Sequence, residues 1–231
     1  MINPGENVTL TDEAYSKIKQ MMFQHKIMPS QKLIYKDLAE LLSMSQTPII
    51  NALNRLEEQG FLVSTAFRGF YVKPIDIDEL MEQFAIREAL ESHIVEQVIK
   101  KASDKDLKNL KEKMRLHAEY KPDHYDNKKL VVDADVHIQM ATINGNNAMT
   151  KILAMAFEHI ILRYPPESRN PLRLITAIKE HQKLFELISS RNIPESVEFI
   201  KSHIRNGRDF LIRSMSKEKQ SDAIEYFEMK P

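Results

Sequence analysis

Apolar residues recur along most of this chain at the three-to-four spacing of amphipathic helices, with two short β-prone runs between residues 61 and 73. Leu38, Leu41 and Leu42 form the first compact stripe, and Ser43-Met44-Ser45 interrupts it. A second stripe follows at Ile49, Ala52, Leu53 and Leu56, with Ser45 as N-cap and Pro48 in the first turn. Gln46, Thr47, Asn51, Asn54 and Arg55 are the polar residues of that second helix, with Ile50 beside them. Gly60 supplies the stop, since glycine takes the left-handed cap at least cost. Phe61 to Ser64 and Phe70 to Lys73 are β-prone runs around Thr65-Ala66-Phe67-Arg68-Gly69, which predicts a hairpin. Helix, turn, helix and hairpin is the order of a winged helix-turn-helix, whose second helix enters the major groove of DNA.

Beyond Pro74 the pattern is helical throughout. Leu80, Phe84, Arg87, Ala89, Leu90, Ile94, Val95 and Val98 sustain a long helix from Asp76 or Asp78 to about Lys101. Further helices are predicted over Ser103–Tyr120, Asn127–Asn144, Asn147–Tyr164, Pro171–Ser190 and Pro194–Met215, separated by Pro, Gly, Asn and Asp punctuation. The expected fold is therefore mostly α: an N-terminal winged helix-turn-helix over 1–74, an antiparallel bundle of about six helices over 75–216, and a tail over 217–231 that is frayed or a short extra helix.

Composition narrows the chemistry. Only 5 glycines in 231 residues suit a helical protein, and the absence of cysteine excludes disulfides, thiolate metal sites and cysteine nucleophiles. No apolar run is long enough to span a bilayer and no apolar leader begins the chain, so a soluble cytoplasmic protein with no membrane partner is expected. Net charge is +0, from 33 Lys+Arg against 33 Asp+Glu. Residues 1–73 carry only a slight positive excess, so charge alone does not announce nucleic acid. Lys32, Lys36, Arg55, Arg68 and Lys73 are the candidates for phosphate contacts, and dimerisation would double their contribution.

Four bundle residues form a suggestive set. Asp133 and His137 stand one turn apart on one helix, while His181 and His203 lie within apolar stripes of two others. Taken singly, each histidine is most simply a satisfied core or partly exposed residue. Converging, three imidazoles and a carboxylate would suit Zn, Ni, Cu, Fe or Mn. The twelve methionines fit gap-filling core positions, and the charged run Lys105 to Lys113 is a solvated helix face.

The N-terminal third resembles the DNA-binding domain of GntR-type bacterial transcription regulators. It keeps Leu38, Ala39, Leu42, Ser45, Thr47, Pro48, Ala52, Leu53, Leu56, Gly60, Arg68, Gly69 and Val72, after a lead-in helix over Tyr15–Ile27. Where the family carries two arginines and a glutamate, this chain has Gln46, Ile50 and Asn51. Glutamine reads adenine, and isoleucine can only touch a thymine methyl. An operator less dependent on guanine is expected, with Gln46, Thr47, Asn51, Asn54 and Ile50 at the bases and Lys36, Ser45, Arg55, Arg68 and Gly69 completing the interface. The competing outcome is a domain that has lost tight binding, because few charged contacts remain.

Residues 76–215 are similar to the FCD ligand-binding domain of the FadR subfamily. Arg87 with Leu90-Glu91, Asp133 with His137, Gly145-Asn146, Glu180-His181 and His203 stand where that family has its motif. The resemblance implies a divalent transition metal, Zn, Ni or similar, held by Asp133, His137, His181 and His203, with open positions for a small carboxylate effector. Arg87 and Arg163 are candidates to neutralise the effector, and Asn146 either touches it or caps the next helix. His93, His117, His124 and His159 match no ligand position, and His124 falls in a polar linker. The function implied is that of a ligand-responsive, homodimeric DNA-binding regulator, a repressor, and not an enzyme. The alternative is a helical-bundle metallohydrolase using the same four residues, against which stands the lack of a general base on their helical face.

Overall fold

The computed structural model describes residues 8–65, 69–120, 128–164 and 171–228, in two compact units, Met1–Ile75 and Asp76–Pro231. In the first unit α1 (Leu10–Phe23) starts on a reciprocal cap, Thr9 and Asp12 each bonding the other's backbone N–H. β1 (Lys32–Leu33), α2 (Tyr35–Leu42) and α3 (Gln46–Glu58) follow, then β2 (Leu62–Thr65) and β3 (Gly69–Val72). α1 and α3 pack together, and Ile18, Met22, Ile49, Leu53 and Leu56 are fully buried between the elements. The sheet order is β1-β3-β2, all antiparallel, with Leu62 opposite Val72 and Lys32 opposite Tyr71.

α3 ends as expected. Gly60 takes φ 79°, and Gly60 and Phe61 donate to the carbonyls of Glu57 and Leu56, the paired bonds of a Schellman cap. Three details differ from the sequence expectation. Strand β1 has only two residues, too few to leave a periodic signal, and it adds a third strand to the hairpin. Ser45 occupies the N-cap of α3 with no side-chain cap bond. Leu41 is 64% exposed, because Leu38 and Ala39 form the buried face of α2. The turn of this motif is closed by Ser43 at φ 54°, without glycine.

The second unit comprises α4 (Ile77–Lys101), α5 (Asp104–Glu119), α6 (Lys128–Asn144), α7 (Asn147–Arg163), α8 (Pro171–Ser189) and α9 (Ile193–Glu228). α4 is the central helix and packs against α6, α7, α8 and α9, while α5 closes the side formed by α6 and α8. The helices begin on side-chain caps where the sequence offers them: Asp76 for α4, Ser103 with Asp106 for α5 and Asn146 for α7. α9 continues through the region expected as a tail, to Glu228. The buried stripe of α8 is Ala177, His181, Leu184 and Ile188, and that of α9 includes Ser196, Ile200, His203, Ile204 and Leu211. Both histidines thus stand at core positions of their helices. Among the described residues no helix is long and apolar enough to cross a membrane.

Candidate metal centre and DNA-reading helix

In the bundle, helical periodicity carries His137, His181 and His203 inward from α6, α8 and α9, and at most 4% of each residue is exposed. One ring nitrogen from each lies within 4.8 Å of the others. His181 Nε2 is 3.2 Å from His137 Nε2, and Asp133 places Oδ1 3.8 Å from His181 Nε2 and Oδ2 3.9 Å from His137 Nε2. Donors about 2.1 Å from one ion stand roughly 3–4 Å from each other, so these separations fit a shared cation. The chemistry of the donor set agrees, since nitrogen and carboxylate ligands suit borderline divalent metals.

The outward nitrogens are also committed. His137 Nδ1 bonds Glu91, which also accepts from Arg87 Nε at 2.8 Å, both partners lying one turn apart on α4. His203 Nδ1 lies 2.7 Å from Glu180, which also receives Arg173 at 2.5 Å and Asn206 at 3.1 Å. A carboxylate behind each imidazole keeps the proton on Nδ1 and leaves Nε2 as an inward lone pair. His181 Nε2 faces the His137 lone pair at 3.2 Å, a separation that calls for a cation or a proton between the two nitrogens.

Electrostatics follow from this packing. Burial alone would raise Glu91; His137 and Arg87 overcome it and bring its pKa down to about 2. Glu180 is likewise lowered to about 2 against burial, by His203 and Arg173. Asp133 is held well below the ordinary carboxylate range although burial opposes this, by His181, His137, His117 and His203. Burial lowers His181 and His203, so both favour the neutral form that binds metal.

His117, which sequence reasoning set aside, belongs to this cluster. It is 0% exposed, with Nδ1 3.1 Å from His181 Nδ1 and Nε2 3.4 Å from Asp133 Oδ1. The sequence signals only its burial: His117 continues the stripe Leu110, Met114 of α5, and α5 packs against α6 and α8. His159 is also buried, outside this cluster, and His93 is exposed. His124 lies outside the described residues.

A cavity of about 100 Å³ opens onto Asp133 and His203 and is walled by Phe84, Phe157, Ile160 and Leu211 among others. Arg87 and Arg173 line it. Arg87 is stacked over Phe157 at 4.0 Å from the ring centre. Arg163 does not line it: its guanidinium pairs with Glu79 at 2.5 Å, because its position near the end of α7 turns it toward the start of α4. Arg173, in the first turn of α8, takes the place expected for it. Asn146 is exposed and spends its side chain on the amides of Ala148 and Met149, so the capping role is the one observed.

In the first unit α3 presents Gln46, Thr47, Asn51 and Asn54 to solvent, with Ile50 half-buried beside them. Lys36, Ser45 and Gly69 are exposed as well. Arg55 is exposed but pairs with Asp12 at 2.9 Å and lies over the Tyr15 ring, so part of its charge is already engaged. Arg68 lies outside the described residues.

A winged helix-turn-helix followed in the same chain by an all-helical domain with a central cavity defines a ligand-sensing DNA-binding regulator. Residues 10–72 match the gntR family of bacterial regulatory proteins, and residues 82–206 match the FCD domain. The chain belongs to the FCD-bearing branch of the GntR family. It is 24% identical over 193 residues to the Nta operon transcriptional regulator of Aminobacter aminovorans, covering 83% of this chain and 90% of that protein. It is 26% identical over 195 residues to the HTH-type transcriptional regulator McbR of Escherichia coli, covering 81% and 86%. The solved structure of E. coli McbR/YncC shares the fold, with TM-score 0.72, 21% identity, and coverage of 90% of this chain and 100% of that one. These relatives are transcription regulators, which disfavours the metallohydrolase reading.

Proposed function

We propose that this regulator senses a small carboxylate at a divalent transition-metal centre held by Asp133, His137, His181 and His203. The observation carrying this reading is the convergence of three buried imidazoles, two of them backed by carboxylates, beside Asp133 at the end of a cavity. The bound metal would offer open positions to the effector carboxylate, and Arg87 and Arg173 would neutralise remaining charge. The apolar wall of Phe84, Phe157 and Leu211 would take the rest of the molecule. Operator DNA is read by a homodimer through Gln46, Thr47, Asn51 and Asn54, with Ile50 on a thymine methyl and Lys36, Ser45, Arg55, Arg68 and Gly69 along the backbone. Effector binding releases the operator, as in a cytoplasmic repressor, through a coupling of about 1–3 kcal/mol.

Metal analysis of the purified protein, followed by operator binding with a panel of carboxylic acids, tests this. The wild type should carry stoichiometric metal and lose operator affinity with at least one acid. His181→Ala combined with His203→Ala should lose both the metal and the response while keeping operator affinity. A full response from that double variant would overturn the metal-anchored reading.

A further inference from the structure

The three inward histidines are not backed alike. His137 and His203 give Nδ1 to the carboxylates Glu91 and Glu180, but His181 Nδ1 meets another imidazole, His117 Nδ1, at 3.1 Å. We infer that His117 is the third outer partner of this centre, a positioning residue that fixes the tautomer of His181 and orients Asp133. This rests on the metal-centre reading above.

The proton inventory leads there. Two Nδ1 atoms at hydrogen-bond distance need one proton between them. His181 must keep Nε2 bare to bind a cation, so its proton sits on Nδ1 and His117 Nδ1 accepts it. The single proton of a neutral His117 then lies on Nε2, which faces Asp133 Oδ1 at 3.4 Å. That Nε2 is buried and has no hydrogen-bond partner at ordinary distance. A small approach of Asp133, such as a cation would draw, completes the bond.

The scaffold supports the pose. Lys129, itself buried at the start of α6, donates its ammonium to the backbone carbonyl of His117 and, at 3.4 Å, to that of Tyr120. The end of α5 is thereby tied to the helix that carries Asp133 and His137. Packing alone would be served by an aliphatic residue at this position of the Leu110, Met114 stripe. One imidazole instead links two ligands from different helices, a task for which a carboxylate lacks the donor.

Zn²⁺ and Co²⁺ titration of the full chain stripped of metal, against a competing chelator, tests the assignment. His117→Leu should bind about 10–100-fold more weakly than wild type, the usual loss for an outer partner. Its metal-free melting temperature should not fall, which a merely structural role would predict. His117→Asn, whose amide lies near the former Nδ1, should recover affinity to within a few-fold, whereas His117→Gln, whose amide reaches past it, should stay weak. This pair decides the matter should the leucine variant not fold. The visible Co²⁺ spectrum of His117→Asn should superimpose on that of wild type. Wild-type affinity in His117→Leu, or equal weakness of Asn and Gln, would overturn the assignment alone. A changed Co²⁺ spectrum in His117→Asn would show His117 to be a ligand instead. Failure of the wild type to bind either ion would remove the metal-centre reading and this inference together.

Discussion

The two units place their polar groups in opposite ways. In the winged unit the interior is apolar, Ile18, Ile49, Leu53 and Leu56 being fully buried, and the side chains expected at DNA stand outside on α3. In the bundle the interior holds Arg87, Glu91, His117, Lys129, His137, His181 and His203, each at most 6% exposed. Buried charge is tolerated only where partners replace water, so every one of these residues except the Nε2 edge of His117 is part of a bonded network. A surface reading head can therefore be altered without disturbing its fold, whereas the sensor's paired buried charges, such as Arg87 with Glu91, serve site and stability together.

Substitutions can break this contrast. The largest expected effect is in the bundle. Glu91→Ala leaves Arg87 buried without its partner and should cost about 3–5 kcal/mol of stability, read by chemical denaturation. A neutral outcome would mean that the buried network does not support the fold. Acid comes next, acting on the metal-free protein. His117, His181 and His203 have folded pKa values below their usual 6.5, so the unfolded state binds protons first as pH falls. Their contribution is complete above pH 6.5 and is lost as pH drops below it, that of His117 by about pH 4. Asp133, Glu91 and Glu180 add a loss of the same sign at lower pH, Glu91 and Glu180 down to about 2. One histidine moved this far corresponds to roughly 3 kcal/mol at most. Melting of the bundle should fall steadily from pH 7 to 5, and a flat profile would contradict the neutral, buried cluster.

On the winged side, Gln46→Ala and Asn54→Ala should each weaken specific operator binding by about 1–3 kcal/mol with an unchanged melting temperature. Footprints identical to wild type would remove those residues from the interface. The smallest effect is expected from Asp12→Asn, which releases the Arg55 charge from an exposed, solvent-screened pair while leaving an acceptor for the Thr9 N–H at the start of α1. Its operator affinity should rise slightly and its salt dependence steepen. No change in either would show that Arg55 contacts no phosphate.

Legibility in the sequence followed the same division. Every helix of the bundle shows in its periodicity, because an apolar stripe and its caps are local properties; Asn146 and Ser103 announce α7 and α5 unaided. The α3 surface was legible for the same reason. Strand β1 was not, being two residues whose only reason to extend is the β3 edge opposite. The metal set needed the family motif to rise above ordinary core histidines. His117 was missed because a lone histidine in an apolar stripe says nothing of what faces it. Arg163 was misjudged and Arg173 overlooked, since helix position fixes a side chain's height but not which neighbour it meets.

What the amino-acid order determined by itself was thus the helices, most of their boundaries and most of the positions that turn inward, all set by interactions within about four residues. Only the tertiary structure decided which inward groups meet. His117, Asp133, His181 and His203 come from four helices, and their few-ångström separations depend on how α5, α6, α8 and α9 pack. That packing is settled by the whole interior at once, because close-packed side chains leave each helix little freedom to shift alone.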